Sequence, residues 1–512
     1  MATLAGVLDT TARRAPERPA VVFGPRALDY RELDAAVNRS AHALSAAGLR
    51  KGDRMLLMSA NSADFVIALY AAWRLGAIVI PVNPASAAAE LQYLLDDAQP
   101  ALVLFGPAAL SAVAACTHEP PFAMAAPPIA LEPVEGYADL PGLASSCPAS
   151  APDVEVVEAD DVAILYTSGT TGRPKGALFD QHRLLWVGLG AALVMGMRDG
   201  DRILHAAPMY HAADLAMLVV GGTQVGATHV ILPTFTPHAA LDAIEQQEVN
   251  VFFGVPTMYQ LMLRDPTLAD RNLSSWRVGV FGAAPMPASA VEAALNALPG
   301  LELIQACGQT EGGPGGIYSS AADVRARPDA SGRRAMPNTE ARVVSPAGDD
   351  VEPGVAGELL LRGETVMKGY WRKPAETAEA IRDGWLHTGD VATVDADGYI
   401  TLVDRMKDVI ISGGRNIYSV EVENALAAHP AVAEIAVISR PHPDYGETVV
   451  AVVDPRPEHT VTLEQLRVFG ADLISGYKLP RELVLRKIPR SPSGKVLKHV
   501  LRADLATTSA SA

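Results

Sequence analysis

A chain of 512 residues exceeds what one ordinary hydrophobic core supports, so two or more domains are expected. Hydrophobic residues make up 49% and charged residues 20%, the balance of a soluble globular protein, and no apolar run is long and clean enough to span a bilayer. The net charge of −16 would repel a nucleic-acid backbone, which excludes general nucleic-acid binding but leaves room for a local basic patch at nucleotide phosphates.

From the N-terminus, Met1-Ala2-Thr3-Leu4 has no basic segment followed by an apolar run, so no signal peptide is predicted and the expected location is the cytoplasm. Tyr30-Arg31-Glu32-Leu33 opens a helix that runs through Ala-rich sequence to a C-cap at Gly48. Met55 to Met58 reads as a buried strand, Asn61 to Leu75 as a helix ending at Gly76, and Ala77 to Ile80 as the next strand. This alternation implies a parallel sheet covered by helices. Residues 106–157, rich in Ala and Pro, read as a surface excursion. Further strands are predicted over 162–166, 202–206, 249–253, 278–281 and 301–304, each ending in a loop of small or polar residues. Ligands of α/β sheets bind at the carboxyl ends of strands, so these loops are expected around one site. The most apolar stretch, Met217 to Leu232, is broken by Gly, Thr, Gln and His and reads as two core strands.

The character changes after about residue 340. Segments 341–344 and 357–362 read as strands of a smaller β-rich unit, 398–403 as a hairpin arm, and 408–500 as a compact α+β pattern. The tail, Thr507 to Ala512, is small, polar and predicted to be disordered. Cys116, Cys147 and Cys307 lie far apart with no Cys-x-x-Cys pair, which argues against a disulfide framework and a structural zinc site.

The strongest chemical signal is Tyr166-Thr-Ser-Gly-Thr-Thr-Gly-Arg-Pro-Lys-Gly176. Glycines let backbone approach an anion closely, free N–H groups form a nest, and the hydroxyls of Thr167, Ser168, Thr170 and Thr171 with Lys175 add donors for phosphate oxygens. The bland alternative is a flexible surface loop. It is not a Walker A loop, because Pro174 precedes the lysine and Gly176 follows it where Ser or Thr would bind magnesium.

This loop resembles the phosphate-binding signature of the adenylate-forming superfamily of acyl-CoA synthetases, peptide-synthetase adenylation domains and beetle luciferases. Six more segments match in the family's order: Ala207-Pro-Met-Tyr-His211, Gly282-Ala-Ala-Pro285, Gly308-Gln-Thr-Glu311, Gly384 to Asp390, Asp404 to Ile410, and Pro489 to Lys495. The resemblance implies an α/β fold with a large multi-sheet N-terminal domain over 1–403, a hinge at 404–407 and a small mobile α+β domain over 408–512. It also implies ATP, Mg2+ and coenzyme A as cofactor and co-substrates. Thr167, Ser168, Gly169, Thr170, Thr171, Gly172 and Lys175 would hold phosphates, Gly282, Ala283 and Ala284 would border adenine, and Cys307, Gly308 and Gln309 would continue that wall. Thr310 would bind the α-phosphate, and Glu311 would be the Mg2+ ligand. Asp390 would accept from the ribose hydroxyls with help from Arg405, and Lys495 would bridge the substrate carboxylate and the α-phosphate. After rotation at Lys407, Ser412, Gly413, Gly414 and Arg415 would meet coenzyme A, and His211 would gate the acyl pocket or the thiol tunnel.

The acyl pocket implied is His211, Phe253, Gly254, Met258, Ala283, Gly308, Gln309 and Gly315, a lining suited to a fatty, aromatic or polycyclic carboxylate. Two departures stand out. Cys307 occupies the position where the family usually stacks an aromatic ring on adenine, as a packing residue or a reactive thiol. Asp214 falls where a small apolar residue is usual, and would line the pocket entrance or pair elsewhere. The function expected is ATP-dependent acyl-CoA synthesis through acyl-AMP. The alternatives are loading of a carrier-protein thiol in trans and a catalytically dead binder. Either a monomer or a homodimer is compatible with the chain.

Overall fold

The computed structural model describes residues 3–117, 124–167, 173–284, 286–490 and 496–510. The chain divides into two compact units, Met1–Ala341 with Leu361–His387, and Arg342–Leu360 with Thr388–Ala512. Architecture is mixed α/β, as the sequence predicts.

Two sheets build the first unit. One runs in the order Arg334–Ala335, Ile317–Ser319, Glu302–Cys307, Val278–Gly282, Val251–Gly254, Arg202–His205, Thr228–Ile231, Pro19–Phe23, Arg26–Asp29. Its six central strands, from Glu302–Cys307 to Pro19–Phe23, are parallel. The other runs Gly369–Tyr370, Lys175–Asp180, Asp161–Thr167, Ile78–Val82, Arg54–Met58, Leu102–Phe105, Ile129–Ala130. Here the strands from Asp161–Thr167 onward are parallel, and the first two are antiparallel to their neighbours. The helix Ala63–Arg74 touches strands of both sheets and is buried on nearly every side, as an all-round apolar helix must be. Ser62 caps it, and its Trp73 indole donates to the Val162 carbonyl at 3.1 Å. Arg74, at its end, is buried among Asp9, Asp34 and Asn38, which supply the partners a buried guanidinium needs.

The helix Tyr30–Ala46 follows from a capping box in which Asp29 accepts from the Glu32 N–H and Glu32 from the Asp29 N–H. Its Leu33, Val37, Ala41 and Leu44 recur at helical spacing and all are buried.

Three expectations are corrected. Met217 to Leu232 is not two strands: a π-helix, Ala213–Val220, and a short α-helix, Gly221–Val225, precede the single strand Thr228–Ile231. A continuous apolar run carries no period that separates buried helix from buried strand. Residues 106–157 are not wholly a surface excursion, because Val113, Cys116, Ile129 and Leu131 are buried and Ile129–Ala130 pairs in parallel with Leu104 and Phe105. The tail is helical as far as Ala510, in the helix Lys498–Ala510.

The second unit centres on a sheet ordered Arg415–Ile417, Ile410–Ser412, Gly446–Pro455, Val432–His442, with Glu482–Leu485 parallel to Gly446–Pro455. One face packs Ile410, Val422, Leu426, Val437, Val449 and Leu466, and the other packs Ala436, Ile438, Val450, Val452 and Leu501. That is the period-2 alternation of a sheet covered on both sides.

In the first unit, His182 at the start of the helix Gln181–Val194 lies between two carboxylates, Nδ1 to Glu158 and Nε2 to Glu364, each at 2.6 Å. Burial opposes its protonation, but the two glutamates outweigh it and raise its pKa. A raised folded-state value means the clamp's stabilisation is complete below the unfolded value of about 6.5 and is lost as pH rises through the folded one. The thermal midpoint of wild type should therefore fall more steeply than that of His182→Gln as pH rises above about 6.5, measured by calorimetry across pH. Parallel profiles would refute the clamp.

Candidate active site

The carboxyl ends of the two sheets of the first unit meet at Glu311. This residue lies in a single 3-10 turn, Thr310–Gly312, that follows the strand Glu302–Cys307. Its side chain is buried, 9% exposed. Thr167, the last residue of Asp161–Thr167, donates its hydroxyl to Glu311 Oε1 at 3.2 Å, and the Tyr370 hydroxyl donates to the same oxygen at 3.0 Å. The Glu311 carbonyl accepts from the Met367 N–H at 2.8 Å. Thr167 faces Lys175 in the antiparallel register, and the Lys175 ammonium sits 5.1 Å from the centre of the Tyr370 ring, within cation–π range. Burial, and then the Glu311 charge, push the Tyr370 hydroxyl well above the usual phenol range, so it stays a donor.

Both donors converge on Oε1, and among the described residues no hydrogen bond is made to Oε2. A carboxylate oxygen that neither Thr167 nor Tyr370 engages suits Mg2+, which takes one or two carboxylates and completes its shell with phosphate oxygens and water. Among the described residues no group of three acidic, His or Cys side chains could hold a metal alone.

The strand Val278–Gly282 delivers Gly282, where a Cβ would stand 2.2 Å from the Ala306 carbonyl oxygen, so no side chain fits. Ala283 turns to φ 65° directly after it, and Ala283 and Ala284 are exposed. Cys307 ends the neighbouring strand, opposite Ile317, and is half-buried. At Gly308 a Cβ would meet the Gly316 nitrogen and the Pro314 oxygen, each at 2.7 Å. Backbone thus closes on backbone around Cys307–Gly308, and extended Gln309 leads into the turn carrying Thr310 and Glu311. Gly315 lies against Met336.

The His211 ring lies 4.7 Å from the Tyr210 ring, tilted by 53°, and its carbonyl accepts from Leu215 at the start of the π-helix. Asp214, on that helix, does not line an entrance. It is 1% exposed, and its Oδ1 is 2.7 Å from His205 Nδ1. His205 Nε2 in turn meets His229 Nδ1 at 2.9 Å, and His229 Nε2 meets the Thr223 hydroxyl at 3.1 Å. Thr223 donates its one proton to the Val219 carbonyl, so it accepts from His229 Nε2–H. His229 Nδ1 is then an acceptor for His205 Nε2–H, and one proton is shared between His205 Nδ1 and Asp214. Burial, and then His205, hold His229 well below the usual imidazole range, in keeping with its neutral place in this chain. Phe253 and Gly254 end a fully buried strand. Met258 packs on the core cluster containing Phe252, whose side chain alternates to the face opposite Phe253.

In the second unit Asp390 and Arg405 face each other across a hairpin and form an ion pair, Nε to Oδ1, at 2.7 Å. Lys407 is in the 3-10 turn Met406–Asp408. Ser412 and Arg415 pair across Gly413 and Gly414, both at positive φ (58° and 73°), a two-residue primed hairpin turn that demands such residues. The Arg415 guanidinium lies 4.8 Å from the Tyr477 ring centre. Ser168, Gly169, Thr170, Thr171, Gly172, Pro285 and Lys495 lie outside the described residues.

Tyr370 is the site residue that sequence reading missed. It lies in a Gly-Tyr-Trp run with no hydroxyl or glycine density, 59 residues from Glu311, and only the pairing of Gly369–Tyr370 beside Lys175–Asp180 brings it in.

A family model described as AMP-binding enzyme matches residues 8–371, and one described as AMP-binding enzyme C-terminal domain matches 421–495. A feruloyl-CoA synthase of Amycolatopsis is 38% identical, covering 96% of this chain and 96% of its own length. A long-chain-fatty-acid–CoA ligase of Mycobacterium tuberculosis is 32% identical over 94% of each. The crystal structure of ATP-bound MatB from Rhodopseudomonas palustris superposes with a TM-score of 0.88 at 30% identity, covering 98% of each chain.

Tyr370→Phe removes one of two donors on Glu311 Oε1, and is expected to weaken Mg2+–ATP binding about fivefold by calorimetry with the fold intact. Unchanged affinity would show that Thr167 alone sets the carboxylate.

Proposed function

The chain belongs to the AMP-binding enzymes and is an acyl-CoA ligase of that family, and on that premise we propose that it activates a hydrophobic carboxylic acid as acyl-AMP and transfers the acyl group to coenzyme A. The observation that carries this reading is the buried Glu311 carboxylate, held through one oxygen by Thr167 and Tyr370, with the Lys175 ammonium over the Tyr370 ring. A substrate carboxylate oxygen attacks the α-phosphorus of ATP, the bond to the bridging oxygen breaks, and pyrophosphate leaves. Glu311 would hold Mg2+, which would supply neutralisation of phosphate charge. Thr310 and Lys175 donate to phosphate oxygens, and Lys495 stabilises the charge that develops between the two anions. No covalent enzyme intermediate is required.

In the second step the thiol sulfur of coenzyme A attacks the acyl carbonyl, its proton is lost, and AMP leaves. The proposed organisation is a domain over 1–403, a pivot at 404–407 and a mobile domain over 408–512. Asp390, paired with Arg405, offers its carboxylate to the ribose. His211 gates the acyl pocket.

For the acid we propose an aromatic carboxylate, since the feruloyl-CoA synthase relative is 38% identical against 32% for the long-chain-fatty-acid–CoA ligase. Buried Phe253 supplies an apolar wall for a ring. The experiment is mass spectrometry of products formed from ATP, Mg2+, coenzyme A and a library of aliphatic, aromatic and polycyclic acids. Aromatic acyl-CoA is the expected product. Fatty acyl-CoA alone would refute the aromatic assignment, and acyl-AMP without thioester would point to a carrier-protein thiol. Lys495→Ala should lose ATP–pyrophosphate exchange by about a hundredfold or more while largely keeping thioester formation from supplied acyl-AMP. Equal loss of both steps would refute the two-step division of roles.

A further inference from the structure

Two residues one helical turn apart hold the two ends of the Gly/Thr-rich loop. The helix Ala88–Ala98 presents Tyr93 and Asp97 at i and i+4, on one face. The Tyr93 hydroxyl donates to the carbonyl of Pro174 at 2.8 Å, where the chain leaves the loop. Asp97 Oδ2 accepts from the Tyr166 hydroxyl at 2.5 Å, where the chain enters it. Asp97 Oδ1 accepts from the Lys373 ammonium at 3.0 Å. Lys373 belongs to the segment that carries Tyr370 to Glu311: its N–H donates to the Tyr370 carbonyl, and the Trp371 N–H donates to Gly176 on the strand leaving the loop. The guanidinium of Arg173 lies 5.5 Å from the Tyr93 ring centre. All four hydrogen-bonding side chains are partly buried, where hydrogen bonds to a carboxylate are stronger than in water.

We propose that Tyr93 and Asp97 are positioning residues for nucleotide binding: the helix Ala88–Ala98 fixes the separation of the loop's two ends, and through Lys373 locks that separation to the placement of Tyr370 on Glu311. The inference rests on the reading of Tyr166 to Gly176 as a phosphate-binding segment. Neither residue touches the nucleotide; each acts through a residue that frames the site. The Asp97 carboxylate does this work as one acceptor for two donors from segments far apart in sequence, Tyr166 at 69 residues and Lys373 at 276. These hydrogen bonds reach the segments that carry Lys175 and Tyr370 on the phosphate side, and none of them reaches the adenine-side turn at Gly282–Ala284.

The test compares ATP with AMP, which lacks the β- and γ-phosphates, by isothermal calorimetry on the full chain with Mg2+. Tyr93→Phe and Tyr166→Phe each remove one hydrogen bond and should weaken ATP binding about fivefold. Asp97→Asn loses the charge-assisted pair and should weaken it about tenfold or more. AMP affinity should stay within about twofold for all three, and the exposed neighbour variant Asp96→Asn should match wild type for both nucleotides. Selective loss of ATP affinity supports the clamp. Equal loss for ATP and AMP would make these residues merely structural and overturn it, as would no loss for either. ATP–pyrophosphate exchange by wild type with the acid library reads the proposed function separately: exchange with no ATP-selective defect in the variants sinks the clamp alone, whereas no exchange with any acid sinks the function whatever the binding shows.

Discussion

The site depends on one buried carboxylate reached from two sheets. Glu311 follows a strand of the larger sheet, and its Oε1 is held by Thr167 from the end of a strand in the other sheet and by Tyr370 from that sheet's edge. A carboxylate taken out of water costs several kcal/mol unless donors replace the lost hydration. The two hydroxyls therefore fix where the turn Thr310–Gly312 can lie, and with it the registration of the two sheets' carboxyl ends. Close backbone approach at Gly282 and Gly308 presses the neighbouring loops against that turn.

Much of the fold was legible because its elements carry strong local signals. The capping box at Asp29 and Glu32, the helical spacing of Leu33, Val37, Ala41 and Leu44, and Gly48 and Gly76 after the first two predicted helices are readable without tertiary context. The apolar run from Met217 to Leu232 is not, since uniform burial erases the period on which such reading depends. Gly221, the first residue of the short helix after the π-helix, comes so close to the helix Gln181–Val194 that a Cβ there would stand 2.7 Å from the Gly188 carbonyl. Of the site, Thr167, Lys175 and Glu311 announced themselves through motif chemistry. Tyr370 and Asp97 did not, because their roles come from pairing partners 59 to 276 residues away and leave no local imprint.

The second unit shows the limit of motif reading from the opposite side. Gly413 and Gly414 suggest a passage for a slender substrate arm, yet their positive φ angles are already demanded by a two-residue hairpin turn. The same two residues satisfy a local and a chemical requirement, and the local one is sufficient to explain their identity. Asp390 and Arg405 differ: nothing about the hairpin requires an ion pair at that register, yet the two side chains pair at 2.7 Å.

The chain Asp214–His205–His229–Thr223 is sealed, with every member 1% exposed or less. Imidazole N–H protons in such an enclosure cannot trade with solvent unless the π-helix Ala213–Val220 lifts from the strands Arg202–His205 and Thr228–Ile231. Their exchange lifetimes are therefore an internal clock for breathing of this layer. Slow, downfield imidazole resonances in a proton spectrum would time an opening immediately behind His211 that no measurement of turnover could resolve.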